Sequence, residues 1–472
     1  MVSLKSVGQM SFMGGLVFVL LGAGALSTPA SAQSLTTLSS FDGGNWSHPM
    51  YVSLIADANG DLFGTTETGG ASGNGTVFEI VKTTSGYSST PTTLISFDNT
   101  NGALPFAGLI ADANGNLFGT TLAGGASGNG TVFEIVKTTS GYASTPTTLV
   151  SFDNTDGALP AASLIADADG DLFGTTLAGG ASGNGTVFEI VKISGGYAST
   201  PTTLVSFDNI NGANPAGGLI ADANGNLFGT TEAGGATGNG TVFEIVKTSS
   251  GYASTPTILV SFDDTNGAVP AAGLIADANG NLFGTTYAGG ATGNGTVFEI
   301  VKTSSGYAST PTILVSFDET NGANPVAGLI ADANGNLIGT TSAGEASGYG
   351  TVFEVAKTSS GYASTPTTLV SFDNTNGAFP LGGLIADANG NLFGTTEEGG
   401  AFGIGTVYEV AGSGFVPPTQ GKFAGTPGSA DCTGKSISTL ARTYKGIAHA
   451  VSPLGYASVS ALQSAVANYC GK

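Results

Sequence analysis

The sequence predicts an all-β fold: a seven-bladed β-propeller of 55-residue repeats closed by its own N-terminal strand, followed by a small α-helical unit. Three observations carry this. The stretch LIADANGNLFGTT, Leu274–Thr286, has relatives beginning at Leu54, Leu109, Leu164, Leu219, Leu329 and Leu384, with starts 55 residues apart. Each copy holds four strand-like runs between turn signals and no helical periodicity. The repeat region also begins and ends out of phase. SLTTLSSFD, Ser34–Asp42, is a fourth run without its first three, and TVYEV, Thr406–Val410, is a third run without its fourth. An N-terminal strand that completes the last unit joins the ends of a ring. The rival architecture, an open β-solenoid, has no need of it.

Residues 1–32 read as a secretory signal. Lys5 supplies a positive start, Phe12–Leu26 is an apolar stretch of 15 residues, and Ala30-Ser31-Ala32 is a small-residue cleavage site before Gln33. The stretch is shorter than the roughly 20 residues of a membrane span, and no later segment is more apolar, so the mature chain is expected to be exported without a transmembrane segment. The propeller is expected over 33–411. Within the copy Leu109–Pro160, LIADA and NLFGTT flank an Asn-Gly pair, which predicts an antiparallel hairpin with positive φ at its turn. The Gly-rich loop AGGASGNG leads into TVFEIVK, apolar on both faces as a strand covered from two sides must be. The loop TTSGYASTP precedes the β-branched TTLVSFD, and DNTDGALP closes the unit with turn chemistry. A lone 55-residue unit buries too little surface to be stable, and stacking around a ring supplies what is missing.

Residues 412–430 read as a Gly/Pro-rich linker and 431–472 as a small helical unit, with Ile437, Leu440, Tyr444, Ile447 and Val451 on one helix face and Val459, Leu462, Val466 and Tyr469 on a second. The protein's two cysteines, Cys432 and Cys470, both fall in that unit, and export predicts a disulfide between them.

The net charge is −21, and it is uneven. Removing the signal and the basic segment from Gly421 onward leaves 6 cations against 32 acids in the repeats. Such a body repels phosphate backbones and anionic lipid, which argues against nucleic acid as a partner.

Two turns bring oxygen ligands together: Asp57, Asn59 and Asp61, and Asp167, Asp169 and Asp171. Glycine stands fourth in them rather than sixth, and no glutamate closes the loop as an EF-hand requires. Structural turns account for them, with calcium as the alternative; no other cofactor is indicated. Seven glutamates, Glu79, Glu134, Glu189, Glu244, Glu299, Glu354 and Glu409, interrupt apolar strands at equivalent places. They are expected to need donors, for which the neighbouring Thr pairs are candidates, and to serve between strands or blades. Catalysis needs an asymmetric set of residues, and departures from the repeat are few. The first unit carries Trp46, Ser47, His48, Pro49, Met50 and Tyr51 and is one residue longer. The sixth has Glu345 and Tyr349 where others have Gly and Asn, and the last has Glu398, Phe402 and Ile404. Trp46, His48, Tyr51, Glu345 and Tyr349 are the candidate ligand contacts; no catalytic set emerges.

NLFGTT followed by GGxxGxGTVFE, from Ser34 to about Val410, resembles the bacterial secreted repeat proteins of GloVer type, a choice-of-anchor tandem repeat group. The resemblance implies an exported, surface-associated protein. This chain departs from the group's anchoring pattern, having no LPxTG-like motif or terminal apolar helix. The expectation is a secreted or envelope-associated monomer acting as a non-enzymatic binding or scaffold propeller for extracellular polysaccharide or protein. Polar loops opening on one face of the ring would be its binding surface. The alternatives are a propeller-type hydrolase or lyase and a calcium-stiffened structural protein.

Overall fold

The structure is a computed structural model that describes residues 33–417. The expected signal segment, most of the linker, the helical unit and the Cys432–Cys470 pairing lie outside the described residues. Seven four-stranded antiparallel sheets form the blades of a propeller. They are numbered 1–7 here by their inner strands, which begin at Ile55, Ile110, Ile165, Ile220, Ile275, Ile330 and Ile385.

Blade 2 shows the pattern: Ile110–Ala111 innermost, then Leu117–Thr121, Thr131–Ile135 and Thr147–Ser151 at the edge. The first hairpin forms as expected, but its turn is not a tight two-residue one. Asp112 caps a five-residue loop, its Oδ1 accepting from the N–H groups of Asn114 (2.9 Å) and Asn116 (2.8 Å). Only Gly115 needs positive φ, +81°. The aspartate side chain thus does what a second positive-φ residue would have done. The loop TTSGYASTP is not irregular either. Lys137–Thr138 and Gly141–Tyr142 pair in a small hairpin, one of six such excursions among the described residues.

The core lies between blades. Every residue of Leu117–Thr121 is buried, because this strand is covered by both neighbouring sheets. Phe97, just beyond the edge strand of blade 1, meets Phe133 of blade 2 edge-to-face at 5.1 Å, and Tyr142 of blade 2 meets Phe63 of blade 1 at 5.6 Å. Such pairs add to the burial of their rings. Gly119 makes room for this packing: a Cβ there would come within 2.6 Å of the Phe133 ring. Thr121 and Thr131 share a hydrogen bond between hydroxyls at 2.8 Å, and Thr120 donates to the carbonyl of Ala162 in the next blade at 3.1 Å.

The ring closes by the expected clasp. Ser34–Ser40 pairs antiparallel with Thr406–Ala411, Leu35 opposite Val410 and Ser40 opposite Thr406, completing blade 7. At the same seam Thr395 donates to the carbonyl of Val52 at 3.0 Å across 343 residues of sequence. Blade 7 has no small hairpin among the described residues. Instead Ser413 donates to Gly390 O at 2.9 Å, Val416 O accepts from Ala333 N at 2.8 Å, and Phe415 is buried against Ile338. That explains why blade 6 carries Ile338 where the others have phenylalanine: its neighbour brings Phe415 rather than a hairpin tyrosine.

Candidate functional site

The strand order sends the two polar loops of every repeat to the same face, as the sequence predicts. Ala103 of a blade-to-blade crossover bridges Ala123 of a Gly-rich loop, and Leu104 N donates to Asn74 O of the preceding blade. The Asp-capped turns and the lysine hairpins occupy the opposite face. Where the crossovers converge, the channel mouth holds a cavity of about 430 Å³ lined by residues from all seven blades, within the size range of small-ligand sites.

A ring of small residues surrounds the axis there. Ser53, Gly108, Ser163, Gly218, Gly273, Gly328 and Gly383 crowd one another around the axis: a Cβ on Gly108 would lie 2.6 Å from Ser53 O, and Gly383 N donates to Ser53 Oγ at 3.2 Å. The cavity wall is asymmetric. Tyr51 and Phe106 meet at 4.8 Å on one side. Tyr51 sits at φ +51°, a conformation unfavourable for a bulky residue, in the crossover that carries the extra residue. The residue after each Thr pair is Glu67, Leu122, Leu177, Glu232, Tyr287, Ser342 and Glu397 from blade 1 to blade 7. Leu177 and Glu232 line the cavity directly. Burial raises the proton affinity of the Glu232 carboxyl. Burial also raises Glu67, with His48 opposing, and raises Glu397, with Glu398 reinforcing and His48 opposing. Tyr51 is raised by burial first and then by the charges of Glu232 and Glu397.

The sequence-predicted residues divide. Tyr51 lines the cavity, and His48 stands near Glu67 and Glu397, outside the cavity lining. The His48 Nδ1 lies 3.1 Å from Ser47 Oγ, but Ser47 is buried and shares its hydroxyl with Thr68 at 2.8 Å, so it is not presented as a nucleophile. Trp46 is 7% exposed in the seam between blades 7 and 1, away from the cavity wall. Glu345 accepts from the hydroxyls of Thr368 and Ser371 on the edge strand of blade 6. Tyr349 packs edge-to-face on Phe379 at 6.0 Å. Phe106, Leu177 and Glu232 were not singled out from the sequence. The signal for them was present: in copies that otherwise barely differ, the residue after the Thr pair and the residue that follows the crossover proline in blades 2–7 both vary.

The turn and strand carboxylates are engaged within and between blades. Asp57 Oδ1 accepts from Asn59 N at 2.8 Å and Asp61 N at 3.0 Å, and Asp61 Oδ1 from Lys82 N. Asp167 holds Asp169 N and Asp171 N in the same way, each at 3.0 Å. These carboxylates cap turns, and among the described residues no group of three His, Cys, Asp or Glu is placed to hold a metal ion. The strand glutamates do not use the Thr pairs, whose hydroxyls bond one another and the crossover carbonyls. Burial raises Glu79, the turn aspartates Asp61 and Asp57 reinforce it, and Lys137 of the next blade opposes. Lys137 also reaches Asp57 at 3.8 Å and lies over the Tyr142 ring at 5.2 Å. The glutamates are thus part of a contact between blades.

Fold and site together define a seven-bladed propeller of near-identical repeats with one asymmetric cavity at its loop-face mouth. The chain belongs to the Gloeobacter/Verrucomicrobia repeat family, whose model matches residues 21–145, 111–298 and 249–446. No curated protein matches it. Among solved structures it is similar to a candidate 6-phosphogluconolactonase from Bacteroides uniformis (16% identity, 71% of this chain and 88% of that one, TM-score 0.48). It is also similar to the calcium structure of a Trichoderma reesei carbohydrate-active enzyme of family AA12 (13% identity, 81% and 96%, TM-score 0.42). A third is a luciferin-regenerating enzyme (13% identity, 79% and 94%, TM-score 0.39). No helix among the described residues is long and apolar enough to cross a membrane.

Proposed function

We propose that this protein is an extracellular, non-enzymatic binding propeller that takes a glycan, or a protein displaying one, at the mouth of its channel. One observation carries the reading: divergence among the copies concentrates where seven crossovers meet around a single cavity with an aromatic pair. A purely structural ring has no reason to vary around that cavity. Paired aromatics and buried carboxylates suit the apolar faces and hydroxyls of sugars. The test is a glycan screen of the mature chain, repeated with Phe106→Ala. Binding should fall about tenfold or more while the melting temperature holds. Hits that ignore the substitution, or turnover of a bound glycan or lactone, would overturn the reading.

A second reading, a hydrolase or lyase of propeller type, is favoured only by His48 beside Glu67 and Glu397. It requires that His48→Gln abolish a measurable turnover without unfolding the ring.

A further inference from the structure

We propose that the mouth cavity selects an amino sugar with a free amine, its ring face on the Tyr51–Phe106 pair and its ammonium toward Glu232. The inference rests on the binding reading above and narrows its ligand.

The cavity comes first. Ser53 and the small residues that follow it pack against one another around the axis, so a ligand in the cavity is held by its wall. On one side the wall is Tyr51 against Phe106, continued by Leu177. This arc offers area to the apolar face of a pyranose, and an extended alkylamine would leave the tilted ring pair, 37° between planes, largely unmatched. Across the ring, in blade 4, Glu232 faces the same space. Burial raises the proton affinity of its carboxyl, and its charge reaches Tyr51 across the cavity. Glu67 and Glu397 occupy the equivalent position in blades 1 and 7, and the Glu397 charge also reaches Tyr51.

The distribution of cations is an independent observation. The described residues contain six lysines, Lys82, Lys137, Lys192, Lys247, Lys302 and Lys357, and no arginine. All six lie in the small hairpins, on the face opposite the mouth. Each is held over its own hairpin tyrosine, as Lys302 is over Tyr307 at 5.2 Å. The loop face is left with His48 as its single basic side chain among the described residues. A concave, poorly solvated site of one charge sign focuses its field on an incoming counter-charge. Neutral sugars would leave that field unanswered. An ammonium answers it, and the same charge near an aromatic face gains a cation–π contribution. Carboxylates in blade 4 and in blades 1 and 7 further favour an oligomer, with amines on successive rings.

The experiment is calorimetric titration of the full mature chain with a tetramer of 2-amino-2-deoxyglucose and with its N-acetylated counterpart. The free-amine tetramer should bind at least about tenfold more tightly, with an affinity that falls as salt rises. Glu232→Gln should remove most of that preference, and Tyr51→Ala should weaken the tetramer, both variants melting like the parent. Equal or tighter binding of the acetylated tetramer would overturn the ammonium inference and leave glycan binding standing. Failure of both tetramers while another glycan binds the mouth has the same consequence; failure of every glycan overturns the reading beneath it as well. Polylysine binding as tightly as the amine tetramer, in parent and Tyr51→Ala alike, would show attraction to an acidic surface and would also overturn it.

Discussion

Replacing Thr395 with valine separates a closed ring from an open array of blades. The two side chains have nearly the same shape, so the change removes a hydroxyl and little else. In the structure that hydroxyl donates to Val52 O at 3.0 Å, and both residues are fully buried. The carbonyl would be left without this partner in an apolar surround, which costs about 1–3 kcal/mol. Unfolding entropy of about 2 cal/mol/K per residue, over a propeller of this size, turns that into a fall in Tm of roughly 1–4 °C. The control is Thr230→Val, whose hydroxyl donates to Ala272 O at 2.8 Å between two blades adjacent in sequence. Valine's β-propensity and added apolar area are common to both sites and cancel in the comparison. Differential scanning calorimetry should therefore find the two variants equally destabilised. Thr175→Val and Thr340→Val, where the distances are 3.4 and 3.5 Å, should fall less. If Thr230→Val lowers Tm and Thr395→Val does not, the seam between blades 7 and 1 is not closed, and the reasoning from the phase offset fails.

Two further outcomes follow from the charges. Because the turn carboxylates are already engaged by backbone N–H groups, chelation with EDTA should leave Tm within about 1 °C, whereas Asp112→Ala, which frees Asn114 N and Asn116 N, should cost about 1–2 kcal/mol in urea unfolding; a fall of many degrees on chelation would restore calcium to the account. The proton affinities of Glu79, Glu134, Glu189, Glu244, Glu299, Glu354 and Glu409 are raised above the ordinary 4.5 by burial, so their folded forms gain protons first as pH falls and stability should rise from pH 7 toward that value. Asp98, Asp153, Asp263 and Asp373, held below 3.8 by the hydroxyl of a threonine two residues on, act in the opposite sense, and stability should decline again below that value; a Tm that falls steadily from pH 7 downward would refute the assignment.

The fold was legible because repetition multiplies weak signals. One LIADANGNLFGTT is an ambiguous hairpin; seven at constant spacing, with a spare strand at one end and a missing one at the other, admit a ring and little else. Local chemistry was legible less completely. Asn-Gly announced a turn but not its form, because Asp112, three residues before the glycine, closes the loop with its side chain. The hairpin Lys137–Tyr142 was hidden because its reason for existing, Phe63, lies on another blade. The candidate residues divide by the kind of departure that marks them. Trp46 and Glu345 stand out as single oddities, and both are absorbed by packing or by local hydroxyls. Glu232 and Leu177 look ordinary alone. They become informative only when the same position is compared across all copies, where it changes between acid, aliphatic, hydroxyl and aromatic while its neighbours hardly change. Threonines beside that position must bond the next blade and so stay fixed; the side chain after them, which lines the cavity in blades 3 and 4, is free to differ. In a repeat protein the constant positions therefore describe the ring, and the inconstant ones locate the surface on which a ligand can tell one blade from another.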